Sequence, residues 1–254
     1  MDIVTELEDR ILRIEIRRPA KKNALTIAMY AAMADALVAA DHDPAVRVVL
    51  IHGQPDMFTA GNDLVDFDNA PQRDGTPPVF RFLNAISTAS KPLVAAVNGV
   101  AVGVGTTMLL HCDLVYAGLG ARFSLPFVNL GLCPEAGSSF LLPRLAGHQR
   151  AAELLLLGEP FGPEKARELG FVTEILPDAE VFDYAVAQTA LLAAKPPASL
   201  RVTKQLMKAE QSPLVKQAML GERAQFTALL GAPEAKEAFR AFFEKRKPDF
   251  SKFD

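Results

Sequence analysis

The sequence predicts one α/β domain with a helical C-terminal extension. Strand-like apolar segments are confined to the first two thirds of the chain, whereas helical patterns fill the last third. The middle is nearly uncharged, because residues 92 to 143 carry only three charged side chains, Asp113, Arg122 and Glu135. Such a segment has to be a buried core, a membrane span or a functional site.

The composition excludes several classes of protein. The chain has 254 residues, a net charge of −3 and 50% hydrophobic residues, which is typical of a globular domain and not of a disordered or collagen-like chain. Two cysteines cannot form a disulfide framework, so a reducing, cytoplasmic location is expected. The acidic N-terminus lacks the apolar segment of a secretory signal, and the slight negative charge predicts no nucleic-acid partner.

A membrane span is the alternative interpretation of the uncharged segment. The run from Pro92 to Leu110 is 19 residues long, close to the length that crosses a bilayer. It contains Pro92, Asn98 and three glycines, which favour a buried strand followed by a short helix. We therefore expect no membrane partner.

Local patterns predict the elements of the first half in order. Ile11 to Ile16 alternates apolar and charged residues, as a half-buried strand does. Thr26 can cap a helix that runs to about Ala40. The elements expected next are a strand from Val46 to Ile51, a loop from Phe58 to Leu64, a surface excursion over 69–78, rich in Pro, Asp and Gly, and a helix from Val79 to about Ser87.

The second half begins with short strands and ends with helices. The strands are expected at 93–97, 114–117 and 122–124, with a turn at 98–103 and a short helix from Val104 to about His111. Helices are expected at 137–146, 148–157, 163–169, 178–194, 197–209, 213–230 and 233–246.

Two segments of this pattern can carry chemistry through backbone N–H groups. The glycine-rich turn from Gly99 to Gly105 follows a strand and opens a helix, but it lacks the G-x-G-x-x-G spacing of a dinucleotide site and a Walker lysine. It offers either helix N-terminal N–H groups to a developing negative charge or close helix–strand packing. The loop from Ala60 to Leu64 offers either a second oxyanion donor or an ordinary turn.

Several motifs together resemble the crotonase (enoyl-CoA hydratase/isomerase) superfamily. They are Asn23-Ala24-Leu25, Phe58 to Leu64, Ala96-Val97-Asn98-Gly99 with Gly103-Val104-Gly105, Asp113, and Leu169-Gly170-Phe171-Val172. The resemblance implies a crotonase-type ββα spiral core over 1–195 that holds an acyl-CoA thioester. It also implies a helical region over 196–254 that closes the pocket and builds a homotrimer or a dimer of trimers, with no cofactor besides the coenzyme A of the substrate.

The resemblance also assigns site residues. The backbone N–H groups of Asn62 and Val104 would form the oxyanion hole, and Asp113 would be structural. Lys21 and Lys22 would either reach the phosphates of coenzyme A or be solvated surface charges. The residues implied in binding coenzyme A or the acyl group are Ala24, Ala60, Gly61, Asp63, Leu64, Phe127 and Leu132.

The catalytic residue depends on which reaction of the superfamily is considered. The two glutamates of the hydratases fall here on Thr107 and Phe127, so both are absent. Glu135 matches the catalytic glutamate in the Pro-Glu-(Gly/Ala) element of peroxisomal-type Δ3,Δ2-enoyl-CoA isomerases. Without that pattern, Glu135 would be interpreted as an acid near the N-terminus of the following helix.

The resemblance therefore predicts a Δ3,Δ2-enoyl-CoA isomerase with Glu135 as its single acid/base. An apolar surround of Phe127, Leu130, Leu132 and Phe140 would raise the pKa of that carboxyl group. The alternative is an enoyl-CoA hydratase or another crotonase reaction, which would require a second catalytic group. An RNA-binding relative of this fold is disfavoured because the helix from Thr26 to Ala40 contains no lysine or arginine, and no metal-ligand spacing is present.

Overall fold

The computed structural model describes residues 2–68 and 76–253 of the chain. The surface excursion predicted over 69–78 therefore lies, except for its last three residues, outside the described residues.

A six-stranded sheet forms the centre of the α/β domain. Its strand order is β1-β2-β3-β4-β6-β8, in which β1 and β2 pair antiparallel and all the other neighbours pair parallel. The strands are β1 (Ile3–Glu8), β2 (Ile11–Ile16), β3 (Val48–His52), β4 (Leu93–Val97), β6 (Leu114–Gly118) and β8 (Glu174–Leu176). The central strands are continuous apolar runs because both faces of a parallel sheet are covered.

A separate two-stranded parallel sheet includes part of the glycine-rich turn. It consists of β5 (Val100–Val102) and β7 (Arg122–Ser124). Short 3-10 turns cover Pro19–Lys21, Met108–His111, Val128–Leu130 and Asp178–Glu180.

Helices surround the sheet and make up the C-terminal part of the chain. They are α1 (Ile27–His42), α2 (Leu64–Asp68), α3 (Pro78–Thr88), α4 (Val104–Thr107), α5 (Ser138–Ala146), α6 (His148–Leu157), α7 (Pro163–Glu168), α8 (Val181–Ala193), α9 (Pro197–Lys208), α10 (Ser212–Leu230) and α11 (Pro233–Phe243). The predicted cap is confirmed, since the Thr26 hydroxyl accepts a hydrogen bond from the Met29 N–H at 3.2 Å.

The sequence-based expectations were wrong at several short elements. β1 and β8 were not expected, β5 lies inside the segment expected to be a turn, and α2 begins inside the predicted loop. These elements are three to six residues long, and β5 and β8 form by pairing with strands far along the chain, which local patterns do not record. The last helix ends at Phe243 and not at about 246, because Lys245 adopts a left-handed conformation with φ of 53°.

Asp113 attaches the C-terminal helices to the sheet. Its Oδ2 accepts hydrogen bonds from the Leu93 N–H and from the Lys204 Nζ on α9, both at 2.7 Å. Lys204 is buried and also donates to the Lys91 carbonyl oxygen. Asp113 thus has the structural contacts that the resemblance implied, while the division of the chain at 195/196, between α8 and α9, stays a prediction.

Across residues 2–68 and 76–253, no helix is both long and apolar enough to cross a bilayer. The uncharged segment that raised this question forms β4, β5, α4 and the 3-10 turn that follows them.

Candidate active site

Asn23 positions the loop that was predicted to carry the first oxyanion donor. It is fully buried, and its Nδ2 donates to the carbonyl oxygens of Ile16, Met57 and Phe58 at 3.0–3.2 Å. Its own carbonyl oxygen accepts a 2.6 Å hydrogen bond from the Thr59 hydroxyl, which in turn accepts one from the Gly61 N–H at 3.1 Å. The loop after β3 is therefore attached at several points to the chain after β2.

The Asn62 N–H faces away from this attachment. Leu25 bonds to the residues on either side of Asn62, to the Gly61 carbonyl oxygen at 2.7 Å and to the Asp63 N–H at 2.9 Å. In a parallel pairing of this kind the N–H of the middle residue points to the opposite side. It has no acceptor in the described part of the chain, so it is available to a ligand.

Tyr30 on α1 holds the side chain of the same residue. Its hydroxyl donates to the Asn62 Oδ1, and its ring is buried against Phe82 with centroids 5.6 Å apart. Burial and the nearby charge of Glu135 raise the pKa of Tyr30 well above its usual value. The hydroxyl therefore stays protonated and remains a donor.

The glycine-rich turn carries Val104, the second predicted donor. Gly103 is the N-cap of α4, and Val104 is its first residue, whose N–H has no partner within a helix. The turn lies directly against the first loop, since the Thr59 N–H donates to Val100 O at 2.9 Å and the Val102 N–H donates to Thr59 O at 3.1 Å. A Cβ added to Gly61 would lie 2.6 Å from the Val102 carbonyl oxygen, which explains why this close approach requires glycine.

The residues predicted to bind coenzyme A lie along the same loop, although Asp63 is already engaged. Its carboxylate forms a 2.7 Å ion pair with Arg18 and accepts hydrogen bonds from the N–H groups of Val65 and Asp66 at the start of α2. Burial alone would raise the pKa of Asp63, but these hydrogen bonds hold it below its usual value. The side chain of Asp63 thus has a structural role.

The remaining predicted groove residues surround this ion pair. Ala24, Ala60 and Leu64 are half-buried, Gly61 is buried, and Arg18 also donates to the Ala24 carbonyl oxygen at 2.9 Å. Lys21 and Lys22 are both exposed at the 3-10 turn before Asn23. Their position is compatible with either of the two expectations.

Glu135 is buried beside α4, the short helix that follows the glycine-rich turn. Its side chain is 9% exposed, and its Oε1 accepts a hydrogen bond from the hydroxyl of Thr107, the last residue of α4. Thr107 occupies the position of a hydratase glutamate, so a neutral hydroxyl here contacts the one carboxyl group that the sequence retains. Thr107 and Val104 both belong to α4, so Glu135 contacts the short helix that begins with the second predicted donor.

A left-handed backbone and one hydrogen bond fix the residues that follow Glu135. Ala136 and Gly137 both have positive φ, 59° and 72°. The Ala136 carbonyl oxygen lies 2.7 Å from the Nε2 of buried His111. Burial lowers the pKa of His111 to about 4, so the ring is neutral at neutral pH and donates this hydrogen bond.

Glu222, from α10, caps the helix that follows. Its carboxylate accepts hydrogen bonds from the N–H groups of Gly137 at 2.6 Å and Ser139 at 3.0 Å, at the start of α5. The alternative interpretation of Glu135, as the acid at this helix N-terminus, is therefore wrong, because another carboxylate performs that role. The sequence analysis did not identify Glu222, which lies 87 residues after Glu135 along the chain.

Burial sets the protonation of the candidate base. Removal from water raises the pKa of Glu135 to about 8, and the charge of Glu222 adds to this rise while the Thr107 hydrogen bond opposes it. Phe127 and Leu132, both buried, lie on the segment before Glu135, and a Cβ added to Gly103 would lie 4.0 Å from the Phe127 ring. The described residues contain no group of His, Cys, Asp and Glu that could hold a metal ion.

Two backbone N–H groups without a partner among the described residues and one buried carboxyl group thus lie on neighbouring segments. The sequence profile of the enoyl-CoA hydratase/isomerase family matches residues 6–252. The chain belongs to the enoyl-CoA hydratase/isomerase family. Its α/β core and helical C-terminal region match a crystal structure of an enoyl-CoA hydratase/isomerase from Pseudoalteromonas atlantica T6c, with a TM-score of 0.95, 43% identity and coverage of 98% of this chain and 100% of the other.

Curated relatives in this enoyl-CoA hydratase/isomerase family include both kinds of enzyme. The chain is 34% identical to the 2,3-dehydroadipyl-CoA hydratase of Escherichia coli over 98% of each protein. It is 37% identical to the enoyl-CoA delta isomerase 2 of Rattus norvegicus over 81% of this chain, which spans about half of that protein, 54%. The family is therefore shown, while the choice between hydration and isomerisation has to come from the site.

The raised pKa predicts an unusual dependence of stability on pH. Between about pH 5 and pH 8 the folded protein retains a proton on Glu135 that the unfolded chain releases, so the free energy of unfolding falls as pH rises, by about 1.4 kcal/mol per pH unit. Glu135→Gln removes this dependence, so the variant should gain stability relative to wild type as pH rises. Urea unfolding at several pH values measures the difference.

The exposed Glu210→Gln is the matched control and should show a constant difference from wild type. A constant difference for Glu135→Gln as well would mean that Glu135 ionises in the folded protein as it does in the unfolded chain.

Proposed function

We propose that this member of the family is a Δ3,Δ2-enoyl-CoA isomerase in which Glu135 is the single acid/base. The observation that carries the proposal is the pairing of Glu135 with the neutral hydroxyl of Thr107, where a hydratase would have a second carboxylate. One carboxyl group is sufficient for a 1,3-proton shift, whereas the addition of water needs a second group to position and activate the water.

The proposed reaction starts with the ionised form of Glu135. Its carboxylate removes a proton from C2 of a 3-enoyl thioester, and the electron pair of that C–H bond moves into the thioester carbonyl to give a dienolate. Desolvation makes the carboxylate a stronger base than an exposed glutamate. The surrounding buried side chains, among them Phe127 and Leu132, exclude water that would otherwise add to the product.

The negative charge of the dienolate falls on the thioester oxygen. In the proposal the N–H groups of Asn62 and Val104 bind this oxygen, and removing one such donor typically costs about 3–4 kcal/mol of transition-state stabilisation. Valine at position 104 retains the N–H that the role requires. The protonated Glu135 then returns the proton to C4, which leaves the double bond between C2 and C3.

The rest of the proposal concerns the substrate and assembly. The half-buried loop with Ala24, Ala60 and Leu64 would hold the coenzyme A of the substrate, and no other cofactor takes part in the chemistry. A homotrimer or dimer of trimers is proposed from the family resemblance, and the exposed aromatic rings of Phe242 and Phe243 on α11 support a contact between subunits.

Hydration of a 2-enoyl-CoA is the second candidate, and the full-length similarity to the 2,3-dehydroadipyl-CoA hydratase supports it. It would need Glu222 as the second carboxylate. Both oxygens of Glu222 already accept hydrogen bonds from the start of α5, from Gly137 and Ser139. Isomerisation is favoured because it leaves this cap intact.

The direct assay offers a 3-enoyl-CoA and follows the conjugated 2-enoyl thioester by its ultraviolet absorbance. Wild type should form this product, and Glu135→Gln should reduce kcat about a thousandfold while still binding the substrate, because the amide cannot accept the C2 proton. Glu210→Gln should keep the wild-type rate. Comparable turnover by Glu135→Gln would refute the role of Glu135, and faster hydration of a 2-enoyl-CoA than isomerisation would favour the second candidate.

Thr107 should set the pH dependence of this reaction. Its hydrogen bond lowers the pKa of Glu135, so Thr107→Val should move the acidic limb of the kcat/KM profile to higher pH by about one unit. Thr107→Ser, which keeps the hydroxyl, should retain the wild-type profile. Thr106→Val is the matched control, since the Thr106 hydroxyl contacts the Ala101 and Ser124 carbonyl oxygens; an equal shift in this control would contradict the assigned contact.

A further inference from the structure

A large groove lies between α3 on one side and α9 and α10 on the other. Its volume is about 1370 Å³, and it is separate in sequence from the loops that carry the predicted coenzyme A contacts. Its walls include apolar side chains of the core and of α10, among them Leu110, Leu141, Val215 and Met219. Neither the established family membership nor the proposed proton transfer assigns a role to this groove.

The inner end of the groove adjoins the residues that follow Glu135. A Cβ added to Gly137 would lie 3.1 Å from the Val215 side chain and 3.4 Å from that of Met219, and both side chains line the groove. His111, which also lines it, contacts the Ala136 carbonyl oxygen. The inner wall of the groove therefore lies against the backbone of Ala136 and Gly137, the two residues that follow Glu135.

The charges that line the groove have one sign. Its cationic residues are Arg81, Arg201, Lys204, Lys208, Lys216 and Arg223, and no aspartate or glutamate of the described chain lines it. This is unusual for a protein whose net charge is −3. A concave surface lined by one sign of charge concentrates ions of the opposite sign.

Within the described ranges, only two of these cations are neutralised by carboxylates. Arg81 pairs with Asp35, and Lys204 pairs with Asp113. Lys208 donates to a carbonyl oxygen, that of His111, at 3.1 Å, which leaves its charge uncompensated.

The other three cations are Arg201 and Lys216, which are exposed, and Arg223, which is half-buried. The guanidinium of Arg223 lies 4.4 Å from the centre of the Phe80 ring, and this contact orients it without cancelling its charge. Arg201 and Lys216 have no ion-pair partner among the described residues. The groove thus combines apolar walls with uncompensated positive charge.

We propose that this groove binds the far end of acyl chains that carry a terminal carboxylate, so that the preferred substrates are dicarboxylic acyl-CoA thioesters. The apolar inner wall would contact the methylene groups, and Arg223 and Lys216 would pair with the terminal carboxylate. The inference rests on the proposed enoyl-CoA function, since it assumes that the acyl chain starts at Glu135. A terminal methyl group would leave the cations unpaired.

Binding of saturated ligands tests the groove without depending on catalysis. Hexanedioyl-, decanedioyl- and tetradecanedioyl-CoA are each compared by calorimetry with the monocarboxylic thioester of equal length. The three chain lengths cover a range of distances between the thioester and the terminal carboxylate. At least one dicarboxylic ligand should bind about tenfold more tightly than the monocarboxylic thioester of the same length at low ionic strength, and salt should reduce this preference. Equal or weaker binding of all three would overturn the inference.

Variants then assign the preference to the groove. Lys216→Gln and Arg223→Gln should each reduce the ratio of the two affinities several-fold, and Lys216 is exposed, so its replacement does not disturb the core. Lys236→Gln removes the same charge from α11, outside the groove, and should leave the ratio unchanged. A preference that survives in both groove variants, or that falls equally in Lys236→Gln, would overturn the assignment.

The two proposals fail in different ways. An absence of isomerisation with an intact dicarboxylate preference would refute the isomerase proposal alone. Isomerisation of a 3-enoyl-CoA without any such preference would refute the groove proposal alone.

Discussion

The burial of one carboxyl group, that of Glu135, is the constraint on which the rest of the site depends. A carboxylate removed from water is stable only when hydrogen bonds compensate it, and the Thr107 hydroxyl is its one side-chain donor among the described residues. The group responds by retaining its proton up to about pH 8. This partial compensation costs folding stability at high pH, and in the proposed reaction it would also make Glu135 a strong base.

Much of the surrounding structure holds this carboxyl group and the two proposed oxyanion donors in place. Ala136 keeps a left-handed backbone, which costs about 1 kcal/mol for a residue with a side chain, and His111 and Glu222 hold the two residues after Glu135. On the opposite side of the site, the buried amide of Asn23 attaches the loop that carries Asn62. The donors and the base thus belong to three separate segments, each fixed by buried hydrogen bonds.

The sequence allowed the main elements and the motif positions to be predicted, because these depend on local signals. The capped helix α1, the apolar strand β4 and the short helix that begins at Val104 were all expected where they occur. Arg18, Tyr30 and Glu222 were missed, since each acts through a contact with a residue far along the chain. The alternative role of Glu135 could be rejected only once Glu222 was seen to cap α5, and no local pattern contains that information.

The central claim is that one carboxyl group carries the proton from C2 to C4, and isotope transfer tests it most directly. A 3-enoyl-CoA with deuterium at C2 is isomerised in ordinary water, and the product is analysed for deuterium at C4 by mass spectrometry and NMR. The buried position of Glu135 predicts that a substantial fraction of the label is retained at C4, because the protonated carboxyl group exchanges slowly with solvent. Absence of deuterium at C4 of the product during the first turnovers would contradict a single-base transfer and would require a second, solvent-connected acid.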